Sequence, residues 1–120
     1  MKFLAIDTSG RALNVVAVNG EKEVVSRRDD CAMRHSVILM EEVERVLHEA
    51  GLSPCGCDFY ACVVGPGSFT GIRIGIATVK GLCLAADKNA LALTSFDALA
   101  YADTDGKRLC LVDAGHGNFY

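Results

Sequence analysis

Three short stretches of this chain hold residues that could do chemistry. The first is GPGSFTGIRIG, Gly65 to Gly75, which follows one apolar segment and leads into another. Between a strand and a helix, such a turn offers free N–H groups and the positive end of a helix dipole to an anion. Gly67 and Ser68 are the candidate donors. The spacing fits neither named phosphate motif. A P-loop needs G-x-x-x-x-G-K-[ST], but Ile72 and Arg73 follow Gly71. The dinucleotide fingerprint needs G-x-G-x-x-G, and here the spacing is G-x-G-x-x-x-G. Anion binding at this turn is therefore unspecific.

The second stretch, Asp7-Thr8-Ser9, ends an apolar run. Aspartic proteases carry D-T-G or D-S-G at such a turn, but need two carboxylates sharing a proton. Here Ser9 replaces the immediate glycine, and Asp113-Ala114-Gly115 makes no matching turn. Another reading has Asp7 and Thr8 orienting Mg²⁺ or water beside a nucleotide, as at the first phosphate turn of the actin-like fold. The plain alternative is that both side chains satisfy the backbone of a tight turn. The third stretch is Arg34-His35-Ser36, at a helix start. A metal site would want a second histidine one turn on, and residue 39 is Leu39. His48 and His116 complete no Ser-His-Asp set. This reading yields no catalytic set and no metal site.

Six cysteines raise the question of disulfides or zinc. Cys62, Cys83 and Cys110 sit in apolar segments and read as small buried side chains. Cys55-Gly56-Cys57 is C-x-C with no second pair at metal spacing. The N-terminus lacks the long apolar core of a secretion signal, so a reducing, cytoplasmic setting is expected. No stretch reaches the roughly 18 uninterrupted apolar residues of a membrane span. The net charge of -3 and the interspersed signs give no basic nucleic-acid surface. If RNA is involved, a partner supplies the positive charge.

The elements that must position these residues follow from periodicity. Lys2 to Asp7 reads as a central strand, Ala12 to Val18 as a second and Glu21 to Arg28 as a third. Asn19-Gly20 is a strong hairpin signal. Ser36 to Ala50 forms a helix capped by Gly51, with Leu39, Val43, Val46, Leu47 and Ala50 inward. Glu41, Glu42, Glu44, Arg45 and Glu49 lie opposite. Asp58 to Gly65 is a fourth strand, and a helix from Phe69 to Ala86 follows the loop. Asn89 to Thr94 is a fifth strand. Ser95 caps a short helix through Tyr101, and Lys107 to Asp113 is a last strand. This order predicts a mixed α/β sheet with helices on its faces.

The second helix is unusual. Ile72, Ile76, Val79 and Cys83 should face the sheet, with Gly71, Gly75, Thr78, Leu82 and Ala85 on an adjacent face of mostly small groups. Gly71, Gly75 and Gly81 each cost about 1 kcal/mol of helix propensity relative to alanine. Either this face packs densely inside the domain, or it receives a partner helix. Val37 and Ile38, off the main stripe of the first helix, are either covered by a loop or part of the same partner patch.

An internal echo bears on organisation. LAIDTSG near the start resembles CLVDAGHG at Cys110 to Gly117. In the actin-like ATPase (ASKHA) superfold, two ribonuclease-H-like halves each open with such a strand and turn. The echo predicts a ribonuclease-H-like domain over 1–105, with order βββαβαβ, and the first strand of a second domain over 106–120.

MKFLAIDTS, RHSVIL and VVGPGSFTGIRIG together resemble the TsaB (YeaZ) family, along all 120 residues. The family is about twice as long. The resemblance implies a non-catalytic partner subunit in threonylcarbamoyladenosine synthesis on tRNA. Such proteins lack the metal-binding histidines of their catalytic relative TsaD, and Leu39 agrees with that. They pair with TsaD through the two helices of the first domain, or with themselves through the same surface. A TsaE-like ATPase completes the complex, and tRNA is met only through it. The implied partner interface is Val37, Ile38, Gly71, Gly75, Thr78 and Leu82. No cofactor is required on this reading. An ATP- and Mg²⁺-binding phosphotransferase-like protein, using Asp7, Thr8, Gly67 and Ser68, is the alternative. A glycoprotease-like peptidase is the remote third. One departure stands out. The family reads D-A-R-x-x-E-V-Y where this chain has Asp113-Ala114-Gly115-His116-Gly117-Asn118-Phe119-Tyr120, without the arginine and glutamate.

Overall fold

A computed structural model describes residues 1–29, 34–101 and 106–120. Its strands are β1 (Lys2–Asp7), β2 (Leu13–Asn19), β3 (Lys22–Arg28), β4 (Phe59–Val63) and β5 (Asn89–Leu93). They form one mixed sheet in the order β3-β2-β1-β4-β5. The first three strands make an antiparallel meander, while β4 and β5 run parallel to β1. The turn between β2 and β3 falls one residue later than the Asn-Gly signal suggests. Asn19 pairs with Lys22, so Gly20-Glu21 forms the loop and only Gly20 takes positive φ (65°).

Helices α1 (His35–Ala50) and α2 (Phe69–Ala86) cover one face of the sheet. Register explains which face. Ile6 lies beside Val15 and Cys62, and Leu4 beside Ala17 and Tyr60. These side chains pack with Leu39, Val43 and Val46 of α1 and Val79 of α2 into one core. Each fully buried aliphatic side chain there contributes about 1.5–3 kcal/mol. The opposite face, with Phe3, Ala5, Val16 and Phe59, is only half-buried. On it Phe3 and Phe59 stack with ring centroids 5.1 Å apart.

Three expectations need correction here. Glu42 does not lie on the solvent side of α1, because it is 3% exposed. It follows Glu41 around the helix toward β3, where Ser26 donates to it and Arg28 and Arg45 pair with it at 2.6 and 2.8 Å. The short helix α3 (Ser95–Ala100) is capped by Thr94, not Ser95. Thr94 accepts from the Asp97 N–H and Asp97 accepts from the Thr94 N–H, a reciprocal box that Ser95 could not form. Lastly, 107–112 is not a strand. A strand needs a paired neighbour, and the chain instead forms a small exposed hairpin of β6 (Asp113–Gly115) and β7 (Asn118–Phe119). Its turn, His116-Gly117, takes positive φ at both positions.

Candidate functional site

The parallel strands bring three chain reversals to one end of the sheet. After β1 comes Asp7-Thr8-Ser9, after β4 the glycine loop, and after β5 the start of α3. Ligands in open α/β sheets gather outside these carboxyl ends. Here they surround a cleft of about 310 Å³, lined by Asp7, Ser9, Pro66, Ser95, Leu99 and Leu111 among others.

Asp7 builds a local turn. Its Oδ1 accepts from the Ser9 N–H at 2.9 Å and from the Ser9 hydroxyl at 2.6 Å. Asp113 repeats the device, accepting from the Gly115 N–H at 2.7 Å. The two segments thus share this turn, although only the first follows a strand of the main sheet. Thr8 is fully buried, and its hydroxyl donates to the Gly71 carbonyl at 2.6 Å. It points into the joint with α2, so it is not available to a nucleotide in the cleft.

The loop is joined to the β1 turn by its own hydrogen bonds. Ser68 N–H donates to the Ser9 carbonyl at 2.7 Å, so this donor, expected to meet an anion, is satisfied by the protein. The Ser68 side chain caps α2 by accepting from the Gly71 N–H at 3.2 Å. A Cβ at Gly67 would run into the Ser9 carbonyl oxygen. That carbonyl occupies the place where a phosphate oxygen was expected. Ser95 completes the joint, donating to the Pro66 carbonyl at 2.6 Å, across the cis Gly65–Pro66 peptide.

The structure also redraws the α2 wheel. Its buried line is Gly71, Gly75 and Val79, one position round from the isoleucine face. A Cβ at Gly71 would overlap the Thr8 carbonyl oxygen. One at Gly75 would overlap the Thr8 hydroxyl and lie 3.4 Å from Cys62 Sγ. These glycines let α2 lie against β1 and β4, so they are not exposed for a partner helix. Thr78 and Leu82 are half-buried flanks of the same line. Ile38 is half-buried against the core, while Val37 is 70% exposed. The open side of α2 instead presents Phe69, Arg73, Ala77, Lys80 and Leu84. Arg73 lies over the Phe69 ring at 5.3 Å. By length and composition alone α2 could cross a membrane, yet it is seated on β4.

Other candidates are structural. His35 is buried, with Nε2 3.4 Å from the Arg11 carbonyl and Nδ1 unpartnered. Among the described residues no group of three His, Cys, Asp or Glu is placed to hold a metal. Burial pushes the Cys62 thiol up to about 11 and raises Cys57 and Cys83, the opposite of an activated thiolate. Cys83 and Cys110 are half-buried rather than buried. Sequence reasoning missed Ser95, Leu99 and Leu111 as cleft residues. The position of Ser95 after a third parallel strand was the available signal.

A family model described as TsaD, tRNA N6-adenosine threonylcarbamoyltransferase, matches residues 8–120. The chain belongs to this family. Within it, the chain is 30% identical to the Bacillus subtilis tRNA threonylcarbamoyladenosine biosynthesis protein TsaB over 122 residues, covering 100% of this chain and 53% of that protein. It is 36% identical over 91 residues to a tRNA N6-adenosine threonylcarbamoyltransferase of Brucella ovis, covering 71% of this chain and 25% of that protein. Among solved structures, YeaZ from Pseudomonas aeruginosa superposes with a TM-score of 0.74 and 33% identity, covering 78% of this chain and 43% of YeaZ. The chain thus resembles the TsaB (YeaZ) members in sequence and fold, and spans about half the length of those curated relatives.

Proposed function

We propose that this chain serves threonylcarbamoyladenosine synthesis on tRNA as a non-catalytic subunit, docking a TsaD-type catalytic subunit through the outer side of α2. The observation that carries the docking surface is the open stripe of that helix. Phe69 is 75% and Leu84 87% exposed, on a helix whose polar side holds only Arg73 and Lys80 as charges. A surface helix normally carries a wider polar face. Val37 and Met40 of α1 extend the exposed apolar set. Relatives named for this biosynthesis support the pathway. A TsaE-like ATPase would join the same complex, and self-association would use the same stripe. On this reading the mixed sheet is the first ribonuclease-H-like domain of an actin-like ATPase fold, which the order β3-β2-β1-β4-β5 supports.

The phosphotransferase reading has less support. The cleft beside Asp7 is lined by no basic side chain among the described residues, and the Ser68 N–H is taken by Ser9. The docking reading is tested by mixing the chain with the TsaD-type subunit of the same organism and measuring the complex by sedimentation. Leu84→Arg should abolish association while leaving thermal stability within about 0.5 kcal/mol, because the side chain is in solvent. Association unchanged in Leu84→Arg and in Phe69→Glu would remove the stripe from the interface.

A further inference from the structure

The half-buried carboxylate of Asp7 lies between two hollows. One is the 310 Å³ cleft under α3, where Leu99, Leu111 and Val112 supply an aliphatic wall. The other is a dip of about 60 Å³ in the open face of the sheet, walled by Ala5, Val16, Ala61 and Val63. Asp7 lines both. Its Oδ1 is committed to Ser9, but Oδ2 accepts no hydrogen bond among the described residues. Oδ2 reaches solvent at the edge of these apolar walls and is free to accept from a donor held in the cleft. The neighbouring hydroxyls do not supply one, since Ser9 donates to Asp7 Oδ1 and Ser95 to the Pro66 carbonyl. No basic side chain lines either hollow among the described residues.

We propose that this cleft binds a small aliphatic ligand through a primary ammonium group, which donates to Asp7 Oδ2 while the hydrocarbon part lies against the flanking apolar walls. The chemistry selects the class. A lone carboxylate without a neighbouring cation repels phosphates and carboxylates and attracts an ammonium, and a charge-assisted hydrogen bond is the strong kind. The aliphatic walls then favour a branched hydrocarbon over a polyol. This site does not depend on the docking stripe of α2, which lies on the helix-covered side.

The test titrates the chain with isopentylamine, isopentanol and isopentanoate, three probes of one skeleton, following backbone amide shifts. Isopentylamine should bind about tenfold tighter than isopentanol, the range of one charged hydrogen bond, and isopentanoate more weakly than either. The shifts should centre on Ser9, Gly10 and Ser95. In Asp7→Asn the amine should fall to the affinity of the alcohol. Asparagine keeps an oxygen for the Ser9 N–H, so the turn is retained. Equal affinity for amine and alcohol, preference for the carboxylate, shifts centred elsewhere, or an amine preference that survives in Asp7→Asn would each overturn the proposal. The wild-type series decides it even if the variant does not fold.

Discussion

Replacing Gly71 by alanine should destabilise this chain, and replacing Gly81 by alanine should stabilise it, although both lie in the same helix. Alanine gains about 1 kcal/mol of helix propensity at either position. At Gly81 nothing lies within 4 Å of the new methyl, so the gain is kept. At Gly71 the methyl overlaps the Thr8 carbonyl oxygen, with His35 Nδ1 3.4 Å away on another side. The obstructing atom is backbone of the central strand's turn, also held through the Thr8 hydroxyl bond to α2. It has no rotamer by which to retreat, so α2 must lift. Overpacking costs about 1–3 kcal/mol, and an immovable neighbour puts this site at the upper end. About 3 less the 1 gained leaves a loss of about 2 kcal/mol. For a domain of this size 1 kcal/mol moves Tm by about 4 °C. Circular dichroism melts should show Gly71→Ala about 8 °C below the wild type and Gly81→Ala about 4 °C above it. If both variants move the same way, the close approach of α2 to β1 is wrong and Gly71 faces outward after all.

Further outcomes follow from the same geometry. Thr8→Val keeps the shape but loses the 2.6 Å bond to the Gly71 carbonyl, and urea denaturation should show a loss of about 1 kcal/mol. At Glu42, burial pushes the carboxyl up, but hydrogen bonds from Ser26, Arg45 and Arg28 outweigh it and hold the pKa down, from 4.5 to about 2. A folded-state value below the unfolded one stabilises above the unfolded pKa and is lost as pH falls through the folded one. Stability should therefore drop between pH 4.5 and about 2. The paired arginines are 53% and 39% exposed, so solvent screening trims the loss to about 1–2 kcal/mol. Glu42→Gln should lack this component of the acid transition in a series of urea melts. Leu84→Arg should separate the chain from its catalytic partner, and Asp7→Asn should erase selectivity for an amine over its alcohol.

Much of the fold was legible because the strands and helices obey simple periods. The near-continuous apolar run KFLAID marks a central strand, and β1 is buried at Leu4 and Ile6. Gly51 ends α1 in the left-handed conformation expected of a helix-terminal glycine. Phe69–Ala86 has the bounds its pattern gives. What failed was long-range. Thr94 rather than Ser95 caps α3 because the choice depends on where β5 stops. Lys107–Asp113 has the composition of a strand, but it meets no strand of the main sheet and only its end, at Val112 and Asp113, pairs back with Phe119 and Tyr120. Glu42 looks like a solvent residue until Arg28 arrives from β3, 14 positions away.

The sequence by itself determined the five strands of the sheet, the three helices, the apolar stripe of α1 and the family. Each depends on residues near one another along the chain or on a motif read in order. Only the tertiary structure decided what GPGSFTGIRIG is for. A wheel gives angles within one helix but not which angle meets the sheet, and a one-position rotation exchanges an outward glycine face for an inward one. The Ser9 carbonyl, brought in from the end of β1, fills the cradle at Gly67 and takes the Ser68 N–H. No local pattern announces a carbonyl 58 residues upstream of Gly67. The run that reads as a phosphate loop is a joint between the central strand and α2, and Asp7 is left facing the cleft beside it.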